Sequence, residues 1–295
     1  MEENWKIVRN RACLRALMIF AGIILMQMLA YMVCTVVLMA DIMLFHSDNA
    51  KAWEELTRAN AQNPAFAVTI SLVSAVLSMI WCGILYKKSS WRERPFNYKR
   101  AFSGKNILAM ISGGIGGCMV ISIVLTVFCM IFPDLFSSYN STMENLTTGS
   151  TLAALYLLIV GPVSEELIFR GAILDRFYLA FPYWIANICQ AALFGIYHMN
   201  LIQGLYAFLL GLFLGGIRKK TGSIIPCMLT HILFNATSYF QDYFLPQDTR
   251  MRNYVICLLG VAGIAFLVWS IRYLADFSKA ESKQNDSEIQ NSKKE

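Results

Sequence analysis

Residues 16–40 run for 25 positions without a charged side chain. As a helix such a run reaches ~37 Å, more than the ~30 Å hydrocarbon core of a bilayer. No water is available there to satisfy backbone N–H and C=O groups, so the helix, which satisfies its own, is the conformation such a run must take. Lys6, Arg9, Arg11 and Arg15 precede it, as in a secretory signal. The run is far longer than the roughly 7–15 residues of a signal's apolar region, and it reads as an uncleaved first membrane span. Composition generalises the point: 57% of the chain is hydrophobic, only 15% is charged, and the mean hydropathy is +0.51. A soluble domain carries about 25% charged residues. The chain is therefore an all-α, polytopic integral membrane protein. Its net charge of +6 belongs to orientation rather than to nucleic acid, for which nothing in the pattern speaks.

About eight transmembrane helices follow from the apolar runs: 16–40, 64–86, 106–132, a fourth from near Thr151, 183–198, 201–217, 224–240 and 254–274. Pro64 suits a first helical turn, where its missing N–H is not needed. Gly113, Gly114, Gly116 and Gly117 in the third span predict close helix contact, and Gly211, Gly215 and Gly216 in the sixth are read the same way. Gly161-Pro162 predicts a kink in the fourth span. With both termini in the cytoplasm, 21 of the 25 basic residues fall inside, as the positive-inside rule requires. The expected location is multi-pass, in the plasma membrane. Residues 1–275 form one membrane-embedded domain with a motif-bearing core at about 151–240. Residues 276–295 are a charged, disordered cytoplasmic tail. A short surface helix is expected over 50–61. The eight cysteines include no CxxC pair, so neither a thiolate metal site nor a disulfide framework is expected.

Within this apolar chain stands Ser164-Glu165-Glu166-Leu167-Ile168-Phe169-Arg170. A charge at the bilayer centre costs roughly 2.5–3.5 kcal/mol, and ionisable groups there mark function by default. Glu166 and Arg170 are four residues apart and can pair along one helix face. His198 ends the fifth span, and His231 and Asn235 share a face of the seventh. Lipid offers these groups no partners, so a polar intramembrane cavity between spans 4, 5 and 7 is expected. Glutamate beside imidazole can activate water, with a second imidazole and an amide stabilising an oxyanion. Alternatively Glu165, His198 and His231 would hold one divalent metal such as zinc. No HExxH occurs, which excludes a zincin-type site. A proton relay in a transporter, or an ionic network that only fixes packing, also fits these residues.

The order EExxxR, FxxxH, HxxxN resembles the CPBP family. That family includes type II CAAX prenyl endopeptidases and bacterial relatives linked to bacteriocin processing and self-immunity. The matching stretches are Glu165–Arg170, Phe194–His198 and His231–Asn235, and Thr221-Gly222-Ser223 also looks family-like. The resemblance covers about residues 153–239. It implies a membrane-embedded protease, with Glu165 the general base, His198 assisting, Glu166 and Arg170 ordering the site, and His231 with Asn235 holding the oxyanion. It allows either no cofactor or one metal, since the family was first described as metalloproteases. The implied partner is a peptide or protein substrate, lipidated or membrane-bound. A non-enzymatic immunity or peptide-binding protein of the same fold is the alternative.

One geometric conflict sharpens the reading. Glu165 lies fourteen residues beyond the start of its span and His198 fifteen beyond the start of the next, which runs the other way. Straight, full-length helices would keep them at different depths. The sequence therefore predicts that spans 5 and 6 tilt, or form a short hairpin turning at Met199-Asn200.

Overall fold

The computed structural model describes residues 2–45, 54, 58, 63–88, 102–134, 136 and 151–292. The formal glycosylation patterns Asn140-Ser141-Thr142 and Asn145-Leu146-Thr147, most of the Lys- and Arg-rich stretch 87–105, and the surface helix expected over 50–61 lie outside these residues, apart from Glu54 and Arg58, both helical. Among the described residues there is no strand. Eight long helical segments follow in order: α1 Glu2–Phe45, α2 Pro64–Lys87, α3 Gly104–Ile131, α4 Thr151–Ala180, α5 Tyr183–Tyr197, α6 Leu201–Thr221, α7 Ile225–Phe244 and α8 Thr249–Ser292. They coincide with the eight apolar runs.

Six of the eight are long and apolar enough to cross a membrane. The other two are α5 and α7, the helices that carry His198 and the His231–Asn235 pair. α5 has 15 residues, about 22 Å of helix against a core of ~30 Å. α7 has 20 residues, but His231, Asn235, Gln241 and Asp242 lower its hydropathy. α8 stays helical to Ser292, past the point where the sequence predicts a disordered tail. An apolar span supplies the costly nucleus, and each added residue then gains one hydrogen bond. Ala280, Glu281, Lys283 and Gln284 are all good helix formers.

The chain divides into two compact units. The first holds Met1–Ser89 and Asp134–Ala207, and so α1, α2, α4, α5 and the start of α6. Asn63 caps α2, accepting the Ala65 N–H at 2.9 Å, with Pro64 in the first turn. α2 and α1 pack along α4. α5 turns back into α6 through Met199, whose φ of 53° is left-handed. Asn200 starts α6, its Oδ1 accepting the Gln203 N–H at 3.0 Å. A Cβ on Gly204 would stand 2.8 Å from the Gly195 carbonyl oxygen, so only glycine lets the two helices meet this closely. α5 and α6 thus form a helical hairpin that turns at Met199-Asn200.

The second unit holds Ser90–Pro133 and Phe208–Glu295. Its packing follows the glycines of α3. A Cβ on Gly116 would lie 2.8 Å from the Gly263 carbonyl oxygen of α8, and one on Gly114 2.8 Å from the Thr230 carbonyl oxygen of α7. Helix backbones here touch directly, as the glycine run predicts. Ser270 adds a hydrogen bond to the Ala109 carbonyl at 2.7 Å. Between α6 and α7, Gly222 takes φ +67°. Thr221 Oγ1 donates to the Ile217 carbonyl at 2.9 Å, and Ser223 Oγ accepts from the Ile225 N–H at 3.2 Å. The turn thus ends one helix and starts the next. Arg218, next to Lys219 and Lys220 in sequence, is fully buried and donates to the Gly222 carbonyl. Gly216 also departs from its packing role, since a Cβ there would meet nothing within 4 Å.

Candidate active site

The acidic cluster sits in a helix of unusual pitch. α4 is α-helical over Thr151–Leu155, π-helical over Tyr156–Val160, α-helical over Gly161–Glu166, π-helical over Leu167–Ile173 and α-helical again to Ala180. The cause of the first π turn lies in Gly161-Pro162. Proline lacks an N–H, and its ring clashes with the carbonyl four residues back. The helix widens there, and the Gly161 N–H bonds the Tyr156 carbonyl, five residues back. The kink expected at this dipeptide thus takes the form of a π-helical turn. Such turns recur at functional sites. Here two of them flank the segment that ends in Glu165 and Glu166.

The i,i+4 ion pair forms. Arg170 Nη1 donates to Glu166 Oε1 at 2.7 Å, and both side chains are fully buried. Arg170 has a second contact that the sequence did not indicate: its guanidinium carbon lies 4.4 Å from the centroid of the Phe194 ring, on α5. A cation over an aromatic face is attracted by the ring quadrupole, more strongly when water is excluded. Phe169 packs on the same ring at 4.9 Å. Phe194 in turn lies edge-on to His198 at 4.9 Å. The Glu166–Arg170–Phe194–His198 chain therefore holds the imidazole through packed, directional contacts. This gives the phenylalanine of FxxxH a physical role: it carries orientation from the ion pair to the histidine.

His198 Nδ1 lies 2.8 Å from the Phe194 carbonyl oxygen. A carbonyl only accepts, so Nδ1 carries the proton. In the neutral ring Nε2 is then the acceptor nitrogen, which is the tautomer an assisting base requires. Glu165 is half-buried, and Tyr156 and Tyr197 both stand within electrostatic reach of its carboxylate. Ser71 of α2 lies near the Tyr156 hydroxyl. Tyr197 accepts a 2.8 Å hydrogen bond from Gln27 of α1. Sequence reasoning missed these groups. The signal was present, because Gln27 is the one amide in the otherwise apolar run 16–40, and such a group needs a partner.

His231 and Asn235 belong to the second unit, one turn apart on α7, with His231 buried and Asn235 half-buried. Thr230, also fully buried, precedes the pair. The six sequence candidates therefore fall as four in the first unit (Glu165, Glu166, Arg170 and His198) and two in the second. Among the described residues no three His, Cys, Asp or Glu side chains gather closely enough to hold a metal ion.

The family model for type II CAAX prenyl endopeptidase Rce1-like proteins matches residues 147–237. The match spans α4, α5, α6 and most of α7, and it contains every motif residue named above. It agrees with the resemblance to the CPBP family read from those motifs. No curated protein and no solved structure matches the chain. The protein is thus an integral membrane protein whose motif-bearing third is similar to a family of membrane proteases.

Proposed function

We propose that the protein is an intramembrane endopeptidase that hydrolyses a peptide bond with water activated by Glu165. The observation that carries this reading is the pre-set imidazole. An ion pair and an aromatic ring hold His198, in the tautomer of a base, on the helix following the one that bears Glu165, inside the matched segment. Glu165, half-buried, takes a proton from water while His198 Nε2 orients that water. The hydroxide attacks the substrate carbonyl, and His231 with Asn235 donate hydrogen bonds to the oxyanion that forms. The proton held by Glu165 then passes to the leaving amine, which restores the carboxylate. Glu166 and Arg170 order these groups and do not touch substrate. The substrate is a peptide or protein presented at the membrane, cleaved on the cytoplasmic side, with both termini of the enzyme in the cytoplasm.

The test is cleavage of a quenched peptide library, lipidated and plain, by purified protein. Glu165→Gln keeps shape and removes the base. Activity is expected to fall roughly 100- to 10,000-fold with the thermal unfolding midpoint unchanged. Equal cleavage by the two proteins would remove Glu165 from the chemistry.

A further inference from the structure

The second unit contains a groove that the catalytic reading does not use. It has a volume of about 490 Å³, is open along one side, and is formed by α3, α6, α7 and α8. Leu209, Phe213 and Gly216 line it along one face of α6, facing Gly117 of α3 and Leu267 of α8. From Leu209 to Lys220 it runs the length of eleven helical steps, ~16 Å. Glycine creates the space. The Cβ position of Gly216 is open, and that of Gly117 meets only the Phe234 ring, at 3.7 Å.

The lining has one charged group, Lys220, at the end of the groove. Its Nζ donates to the Ile271 carbonyl at 3.3 Å, which fixes that end against α8. Exposed Lys219 and Arg272 neighbour Lys220 and Ile271 in sequence, while Lys220 is the one cation on an otherwise apolar lining that carries no carboxylate.

We propose that this groove is a binding site for an anionic phospholipid of the surrounding bilayer, with one acyl chain along α6 and the phosphate at Lys220. The argument is one of complementarity. Helices α3, α6 and α8 are long and apolar enough to lie in lipid, where acyl chains are the solvent of any open cleft. Basic pockets between transmembrane helices select anionic head groups. A zwitterionic head group brings its own cation to the same end and gains less. The site is independent of the protease reading, because none of its residues belongs to the proposed catalytic set.

The test is retention of lipid by the delipidated, purified full chain, read by native mass spectrometry after incubation with phosphatidylglycerol or phosphatidylcholine at equal concentration. Wild type is expected to retain phosphatidylglycerol at least about fivefold better, the factor that one cation contributes at an anionic surface. Lys219→Gln with Lys220→Gln is expected to bring the two lipids to parity. Gly216→Phe fills the groove and is expected to lose both lipids, while Gly216→Ala keeps them. Equal retention of the two lipids by wild type, or retention unchanged by the double lysine variant, would overturn the proposal. Displacement of the phospholipid by a farnesylated peptide would also overturn it, assigning the groove to substrate. Size-exclusion and unfolding profiles establish that each variant folds, and if Gly216→Phe does not, the lysine variant decides.

Discussion

The two units differ in the helix contacts that stand out in each. In the first, α4 and α5 are joined through side chains: a buried ion pair, a cation over a ring, and an aromatic relay to His198. In the second, α3 meets α7 and α8 backbone to backbone, through glycines whose missing Cβ atoms leave no gap. Lipid gives helices no hydrophobic reason to associate, so contact must come from close packing or from polar bonds. Both units use both solutions, since Gly204 meets the Gly195 carbonyl in the first and Ser270 hydrogen-bonds the Ala109 carbonyl in the second, but in different proportion. Polar bonds are directional, and here they fix the position of the His198 ring. Glycine contacts carry no chemistry, and they serve where a frame must be rigid. α4 adds a further contrast: its two π-helical turns are costly departures that α3 does not make.

This contrast can be broken most sharply at the ion pair. Arg170→Ala leaves Glu166 buried with its charge unmatched, and it is expected to cost about 3–5 kcal/mol, measured by unfolding in mixed micelles. Replacing both partners, as Glu166→Leu with Arg170→Met, is expected to recover most of that stability while leaving hydrolysis low. Recovery of full activity by the double variant would show that the relay to His198 has no part in aiming it.

The frame is the next target. Gly116→Ala places a Cβ against the backbone of α8 and is expected to cost roughly 1–3 kcal/mol by overpacking. Its specific activity per folded molecule should be unchanged. Gly216→Ala, only one position of many on the same unit but facing open space, should cost far less. A large loss at Gly216 and none at Gly116 would invert the assignment of frame and groove.

The smallest expected effect lies at the remote hydrogen bond. Gln27→Leu removes the donor to Tyr197 and should lower stability by only about 0.6 kcal/mol, the average for such bonds in membranes. If the Tyr197 hydroxyl helps to position water beside Glu165, the rate should fall by more than the stability does, with Tyr197→Phe matching it. A change in stability alone would leave the pair a structural tie between α1 and α5.

Several of these features were legible before the fold was known. The fourfold spacing of Glu166 and Arg170 implied their pair, and the glycine run of α3 implied its contacts. The break between the fifth and sixth apolar runs implied the turn at Met199-Asn200. Each is a local statement, readable from helical period and length. The burial of Arg218 was not legible in this way, because it stands in a run with Lys219 and Lys220 while the left-handed Gly222 brings a carbonyl back to it inside the unit. The segment from Asp276 has no apolar period of its own, yet helix runs into it as far as Ser292 from the span before it.

By itself the sequence determined that this is a bundle of membrane helices with an ionisable site in α4, because lipid leaves an apolar chain no other way to satisfy its backbone. It also set which residues share a helix face. Only the tertiary structure decided that Phe194 lies under Arg170, that Gln27 reaches Tyr197 across 170 positions of chain, and that Gly216 opens a groove where other glycines close a contact. Helical period fixes neighbours three and four residues apart. Which helix faces which is settled by the packing of whole surfaces, and no local pattern contains that information.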